Sequence, residues 1–198
     1  MTRRRSAGMR RRSRRSRRQK APAWLMLLVL LAAALWWWQQ RPTPGEAVVM
    51  RITDGDTVHV RMDGLDTTLR LLWIDTPEKF ASASLDSDAR HCATVGPRVR
   101  QRLQAMGKQA SAYARNMLHV GERVTVEHHG TDYFKRTLAL LYTENGTSYN
   151  RAAIAAGYAC IYRKAKYPPD LERLLAQAQR QRRGLWGQEP ALMACLCR

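Results

Sequence analysis

Between Val48 and Ile74 three stretches with strand character follow one another almost without interruption. They read VVMRIT, TVHVRM and TTLRLLWI, and only Asp54–Gly55–Asp56 and a break at Asp63–Gly64 part them. Connections this short join antiparallel neighbours, because a parallel crossover needs a dozen or more residues. RVTVEHH and RTLALLY return to strand patterning after residue 122, and Asn145–Gly146 supplies another tight turn. That turn also spells a formal glycosylation sequon, Asn-Gly-Thr; the hairpin reading is preferred.

Helical spacing appears where Leu103, Met106, Ala110, Tyr113, Met117 and Leu118 recur. NRAAIAAG suggests a short helix closed by Gly157, and a last helix is expected after Pro168–Pro169. Its N-cap would be Asp170, its buried stripe Leu171, Leu174, Leu175 and Ala178, and its stop Gly184. Residues 79–104 fit neither period and read as an inserted loop. About five strands with about three helices, and no strand–helix alternation, predict a small closed antiparallel β-barrel of the OB-fold type.

The first forty residues are of another kind. Before Pro42 there are 12 basic residues and no acidic one, which leaves 22 basic against 16 acidic residues in the remainder. Residues 1–20 form a basic tail, and Ala21–Trp38 is a run of 18 residues without a charge, close to the ~20 that span a bilayer. With positive charge on the near side and Trp36, Trp37 and Trp38 on the far side, a transmembrane signal-anchor helix is expected. The C-terminal domain would then be extracytoplasmic, periplasmic or extracellular. A cleaved signal peptide, ending near Ala32–Ala34, is the competing reading and would give a secreted protein. Four cysteines, Cys92, Cys160, Cys195 and Cys197, suit an oxidising compartment; their pairing stays open, although a bridge between Cys195 and Cys197 would be strained.

The charged residues at the strand ends raise the question of function. LRLLWIDTPE places Arg70, Asp75 and Glu78 on the rim of an apolar strand, where each is costly unless paired. Asp54 and Asp56 flank Gly55, a pattern that a hairpin turn alone would explain. Asp56, Asp75 and a backbone carbonyl would offer hard oxygen ligands, suited to Ca²⁺ or Mg²⁺ rather than zinc. Regular alternation would send Arg70 and Asp75 to opposite faces, so the strand must end or bend before Asp75. Arg136 again opens an apolar strand. Two guanidiniums, carboxylates and a divalent ion describe a phosphodiester site; rim salt bridges are the plain alternative.

ITDGDTV, LRLLWIDTPE, GKQASAYARNML and TDYFKRTLALLY, in this order, resemble the staphylococcal nuclease (thermonuclease) family, and RRGLW resembles the end of its last helix. The resemblance runs from about Ala47 to Trp186. It implies that Asp56 and Asp75 coordinate Ca²⁺ together with the Thr76 carbonyl. It also implies that Glu78 is the general base and that Arg70 and Arg136 clamp the phosphate. The implied activity is hydrolysis of DNA and RNA, single strands preferred, to 3′-phosphate ends.

The family's lysine and tyrosine before the second arginine align with Tyr133 and Phe134, whose rings remain able to stack on a base. Tyr162 and Tyr167 are the further substrate-binding candidates. Arg90, Arg98, Arg100 and Arg102 in the insertion would suit either a tethered lid or a solvated loop held by Cys92. The expected organisation is a tail (1–20), an anchor (21–38), a linker (39–46), a nuclease-like domain (47–187) and a cysteine-containing tail (188–198). Nucleic acid and the membrane are the expected partners, and a monomer the expected state. A non-catalytic nucleic-acid-binding barrel is the alternative function.

Overall fold

The computed structural model describes residues 23–39 and 44–197. The basic tail, the first two residues of the apolar run, residues 40–43 of the linker and Arg198 lie outside the described residues. The chain divides between Arg41 and Pro42 into two units.

The first unit contributes helix α1, Ala23–Gln39. Its 17 residues cover about 25 Å at ~1.5 Å per residue, short of the ~30 Å of a hydrocarbon core. Among the described residues no helix is long and apolar enough to cross a membrane, and the expected span, Ala21–Trp38, begins at two residues that lie outside them. Leu27, Leu30, Leu31 and Trp36 along it are exposed.

In the second unit, strands β1 (Pro44–Ile52), β2 (Thr57–Met62), β3 (Leu65–Leu71), β5 (Arg123–Thr131) and β6 (Thr137–Thr143) close into a barrel in the order β1-β2-β3-β6-β5. Alternation explains the barrel directly: Val58 and Val60 point inward while His59 and Arg61 point out, and Val49, Leu69, Leu71, Val124, Val126 and Leu141 fill the interior. Each such aliphatic side chain contributes roughly 1.5–3 kcal/mol on burial. Asp63 and Gly64 both take positive φ, 52° and 78°, which is the twist a two-residue hairpin requires.

Several expectations are revised. The barrel is not wholly antiparallel: β3 pairs β6 in parallel, Leu69 opposite Thr137 and Leu71 opposite Ala139. A strand pairing of this kind across a long intervening segment leaves no local trace in sequence.

Residues 79–104 are mainly helical. They form α2 (Ala83–His91), a 3₁₀ turn (Ala93–Val95) and the start of α3 (Val99–Met117). Ser82 caps α2 by accepting from the Leu85 amide. The expected last helix, α5 (Asp170–Arg180), has Asp170 inside its first turn rather than as cap; the carboxylate instead accepts from Arg151 Nε at 2.9 Å. Gly184 opens a further turn, α6 (Leu185–Gln188), instead of ending α5.

The cysteine-containing tail is a helix as well, α7 (Pro190–Leu196), with Leu192, Met193 and Cys195 buried. Two disulfides hold it, Cys92–Cys195 and Cys160–Cys197. With α4 (Tyr149–Ala155), the second unit has six helices among the described residues, against about three expected. Strands β4 (Ile74–Asp75) and β7 (Cys160–Ile161) form a separate small sheet in which Asp75 lies opposite Cys160.

Candidate active site

Strand β3 ends at Leu71, and two residues later Trp73 takes φ 66°, a value bulky side chains rarely adopt. The strand thus turns before β4 begins, and that bend brings Arg70 and Asp75 together. Arg70 Nη2 donates to Asp75 Oδ1 at 2.9 Å, while Nη1 lies 2.5 Å from Asp56 Oδ2. The second contact is a charge contact, since Nη1 is buried without an aligned hydrogen-bond acceptor. Asp56 also accepts from the Thr57 hydroxyl and, across the site, from the Thr76 amide at 3.2 Å. Arg70 and Asp56 keep only 15% and 11% of their side-chain surface exposed, so a single guanidinium is held between two carboxylates.

One cation does not neutralise what surrounds it. Asp54, buried and facing Asp56, is pushed up to about 7. Displacement of water around Asp75, and then Asp56, push its carboxyl up to about 6 against the pull of Arg70, although half its side chain still meets solvent. Burial, then Asp56 and Asp88, also raise Glu78, and Arg70 and then the Ser84 hydroxyl partly offset them. Burial alone would lower Arg70, but Asp56, Asp75 and Asp54 outweigh it and raise its pKa. The group is a crowd of oxygen donors short of positive charge.

Among the described residues no three His, Cys, Asp or Glu side chains gather closely enough to hold an ion alone. Two carboxylates completed by a carbonyl and water is a donor set that a large hard cation such as Ca²⁺ accepts. The donor chemistry therefore fits a divalent ion at Asp56 and Asp75.

Arg136 sits apart from this cluster. Its amide and Nε donate to the two Asp132 carboxylate oxygens at 2.9 and 2.8 Å. Arg70 and Arg136 nevertheless line one cleft of about 280 Å³ with Trp73, Ile74, Leu138 and Tyr162. Tyr162 lies 6.0 Å from the Arg70 guanidinium. Tyr133 and Phe134, 94% and 73% exposed, stand on the turn beside Arg136 with their rings edge to face. Tyr167 is not brought to the site: its hydroxyl bonds Glu172 at 2.7 Å and accepts from Arg163.

Three contributors escape the sequence reading. The fully buried Tyr149 donates to the Gly55 carbonyl at 2.8 Å, fixing the loop between Asp54 and Asp56. Burial, then Tyr113, Asp56 and Asp54, hold its hydroxyl well above the ordinary tyrosine range, so it stays a donor. Asn150, fully buried, accepts from the Leu141 amide and donates to the Leu72 and Ala139 carbonyls, tying β6 to the bend after β3. A lone Asn opening the apolar AAIAAG stretch was the signal available for it. Gly107 lets α3 touch the active-site segment: a Cβ there would lie 2.5 Å from Pro77 O and from the Glu78 carbonyl carbon.

The fold and the site thus define a class, a closed five-stranded barrel whose rim carries carboxylates around a largely buried arginine. The sequence profile described as Staphylococcal nuclease homologue matches residues 68–188, and the chain belongs to that family. Among similar proteins, Endonuclease YhcR of Bacillus subtilis (strain 168) is 29% identical over 158 residues, 75% of this chain and 12% of its own length. Thermonuclease of Staphylococcus hyicus is 30% identical over 142 residues, 70% of this chain and 73% of its own. A protein of Escherichia coli O157:H7 named Uncharacterized endonuclease is 28% identical over 138 residues, 70% of this chain and 74% of its own. The chain thus spans a small part of the Bacillus relative and about three quarters of the other two.

Proposed function

We propose that this chain is a Ca²⁺-dependent nuclease that hydrolyses DNA and RNA, single strands in preference, to 3′-phosphate products. The observation that carries this reading is Arg70 set between Asp56 and Asp75, with Glu78 half-buried beside them. Family membership and the endonuclease and thermonuclease names of the relatives support it.

In this reading Asp56, Asp75 and the Thr76 carbonyl hold the ion, which supplies positive charge to a phosphate oxygen as negative charge grows there. Arg70 donates to the same phosphate, and the fixed position of its guanidinium avoids reorganisation during reaction. Glu78, whose pKa is raised by burial and then by Asp56, accepts the proton of the attacking water. Arg136, held by Asp132 on the far wall of the cleft, meets the departing 5′ oxygen. Tyr133, Phe134 and Tyr162 stack on the bases, which favours strands whose bases are already unpaired.

The second unit acts as a monomer outside the cytoplasm, and residues 21–38 attach it to a membrane. The uncharged α1, with its apolar side chains exposed, supports attachment. The test is hydrolysis of denatured DNA, duplex DNA and RNA by the full oxidised chain in detergent, with and without chelator, beside Glu78→Gln. Loss of roughly 10²–10⁴-fold in rate on that substitution, with nucleic-acid binding retained, is the expected result. Binding without any cleavage by the unsubstituted chain would favour the non-catalytic barrel.

A further inference from the structure

Directly after Glu78 the chain carries a group of residues that this mechanism leaves unused. Lys79 is the next residue, and its Nζ lies 4.8 Å from the centroid of the Phe80 ring. Phe80 is 56% exposed, an uncommon position for a phenylalanine beside a charged rim. The Lys79 ammonium lies in the fields of the Asp54 carboxylate and the Arg115 guanidinium.

Arg115 is on the exposed surface of α3 in the series Gly107, Ser111, Arg115. Four-residue spacing places these three along one face of the helix. Since Gly107 lies against the backbone of Pro77–Lys79, that face runs directly along the active-site segment. The segment is therefore held by helix packing rather than left as a free loop.

The arginines at 70, 100, 102, 136, 151 and 163 all meet carboxylates. Among the described residues neither Lys79 nor Arg115 forms an ion pair, and each instead raises the positive potential at the other. Two cations within each other's field, beside an exposed ring, suit a ligand that is both anionic and planar. A nucleotide has that chemistry: phosphate for the two cations, base for the ring. None of the three residues lines the cleft that contains Arg136.

We propose that Lys79, Phe80 and Arg115 form a second nucleotide-binding arm, which holds a phosphate and a base of a single strand on the opposite side of the scissile phosphate from Tyr133 and Phe134. The arm makes the enzyme a reader of strand length: a substrate long enough to occupy both sides is bound by stacking at each end. It rests on the nuclease reading for the word scissile, but its binding chemistry is testable without cleavage.

The experiment uses the full oxidised chain in detergent with chelator present, and a fluorescent DNA single strand about twelve nucleotides long, enough to cover both arms. Anisotropy is recorded across a salt series for the unsubstituted chain, Phe80→Ala, Phe80→Trp and Lys79→Gln/Arg115→Gln. Phe80→Ala is expected to weaken binding roughly tenfold and Phe80→Trp to restore it. The double substitution is expected to flatten the slope of log affinity against log salt by roughly 1.4, about 0.7 per lost phosphate contact on a single strand. Unchanged affinity in Phe80→Ala together with an unchanged slope would overturn the arm.

In a parallel measurement with Ca²⁺, the ratio of kcat/KM on the long strand to that on a small aryl phosphodiester is expected to fall with Phe80→Ala. An unchanged ratio would also overturn the arm. If the unsubstituted chain cleaves neither substrate, the nuclease reading fails while the anisotropy series still decides the arm.

Discussion

At the residue scale the site is an electrostatic compromise. A buried guanidinium stabilises two neighbouring carboxylates, but the group around it stays too acidic for comfort without further positive charge. Asp54 shows the cost. Its folded pKa of about 7, against 3.8 for the free side chain, means that the folded state holds the proton more tightly. That contribution is fully present below pH 3.8 and is lost as pH rises to about 7. Asp54→Asn, always neutral, should therefore leave stability nearly unchanged at acid pH. It should raise that of the metal-free protein by ~1–2 kcal/mol above pH 7. Urea midpoints in chelator at acid and alkaline pH check this, and a pH-independent difference would contradict it.

The residue types at this site, Arg70, Asp56, Asp75 and Glu78, could be read from LRLLWIDTPE and DGDT because charge on an apolar rim is conspicuous. Tyr149 and Asn150 were not visible in the same way. Their role lies in which carbonyl they reach across the barrel, Gly55 for one and Leu72 with Ala139 for the other. Local sequence does not encode such partners.

At the scale of elements, position depends on two close attachments. The first is α3 against Pro77–Lys79 at Gly107, where backbone approaches backbone. Gly107→Ala should push the helix from the segment, costing roughly 1–3 kcal/mol of stability. It should also lower kcat more than it raises KM, because Glu78 moves while the cleft does not. Kinetics on denatured DNA and a urea titration read both effects.

The second attachment is α7, whose two cysteines reach opposite flanks. Cys195 holds the segment after α2, and Cys197 holds Cys160, the residue paired across from Asp75. Cys197→Ser should cost about 2–5 kcal/mol of stability. It should weaken Ca²⁺ affinity as well, by loosening the sheet that presents Asp75. Equal urea midpoints for the oxidised and substituted proteins would contradict this.

Sequence periodicity located the strands and α3 well, since a period of two or of 3.6 is a local property. It failed for residues 79–104, where α2 is short and mostly polar, with Leu85 its one buried residue. It failed for α7 because the helix is held by disulfide partners 103 and 37 residues away, not by a strong pattern of its own.

At the scale of the whole molecule, a basic and apolar N-terminal region precedes a compact barrel unit of milder charge. Helix α1 alone is shorter than a bilayer core, so the membrane attachment proposed for this chain needs the full run of residues 21–38. The full chain should float with lipid vesicles and resist alkaline extraction, while a chain beginning at Pro42 should remain in solution. Flotation of neither would remove the membrane from the account.

The proposed function rests on the barrel's charged rim, and the most direct measurement is the initial rate of denatured-DNA hydrolysis against Ca²⁺ concentration. The full oxidised chain and Asp56→Asn are compared side by side. The expected result is saturable activation, abolished by chelator, with half-saturation moved at least roughly tenfold higher in Asp56→Asn. Hydrolysis that persists in chelator, or a Ca²⁺ response identical in the two proteins, would contradict the assignment of this rim as the ion and phosphate site.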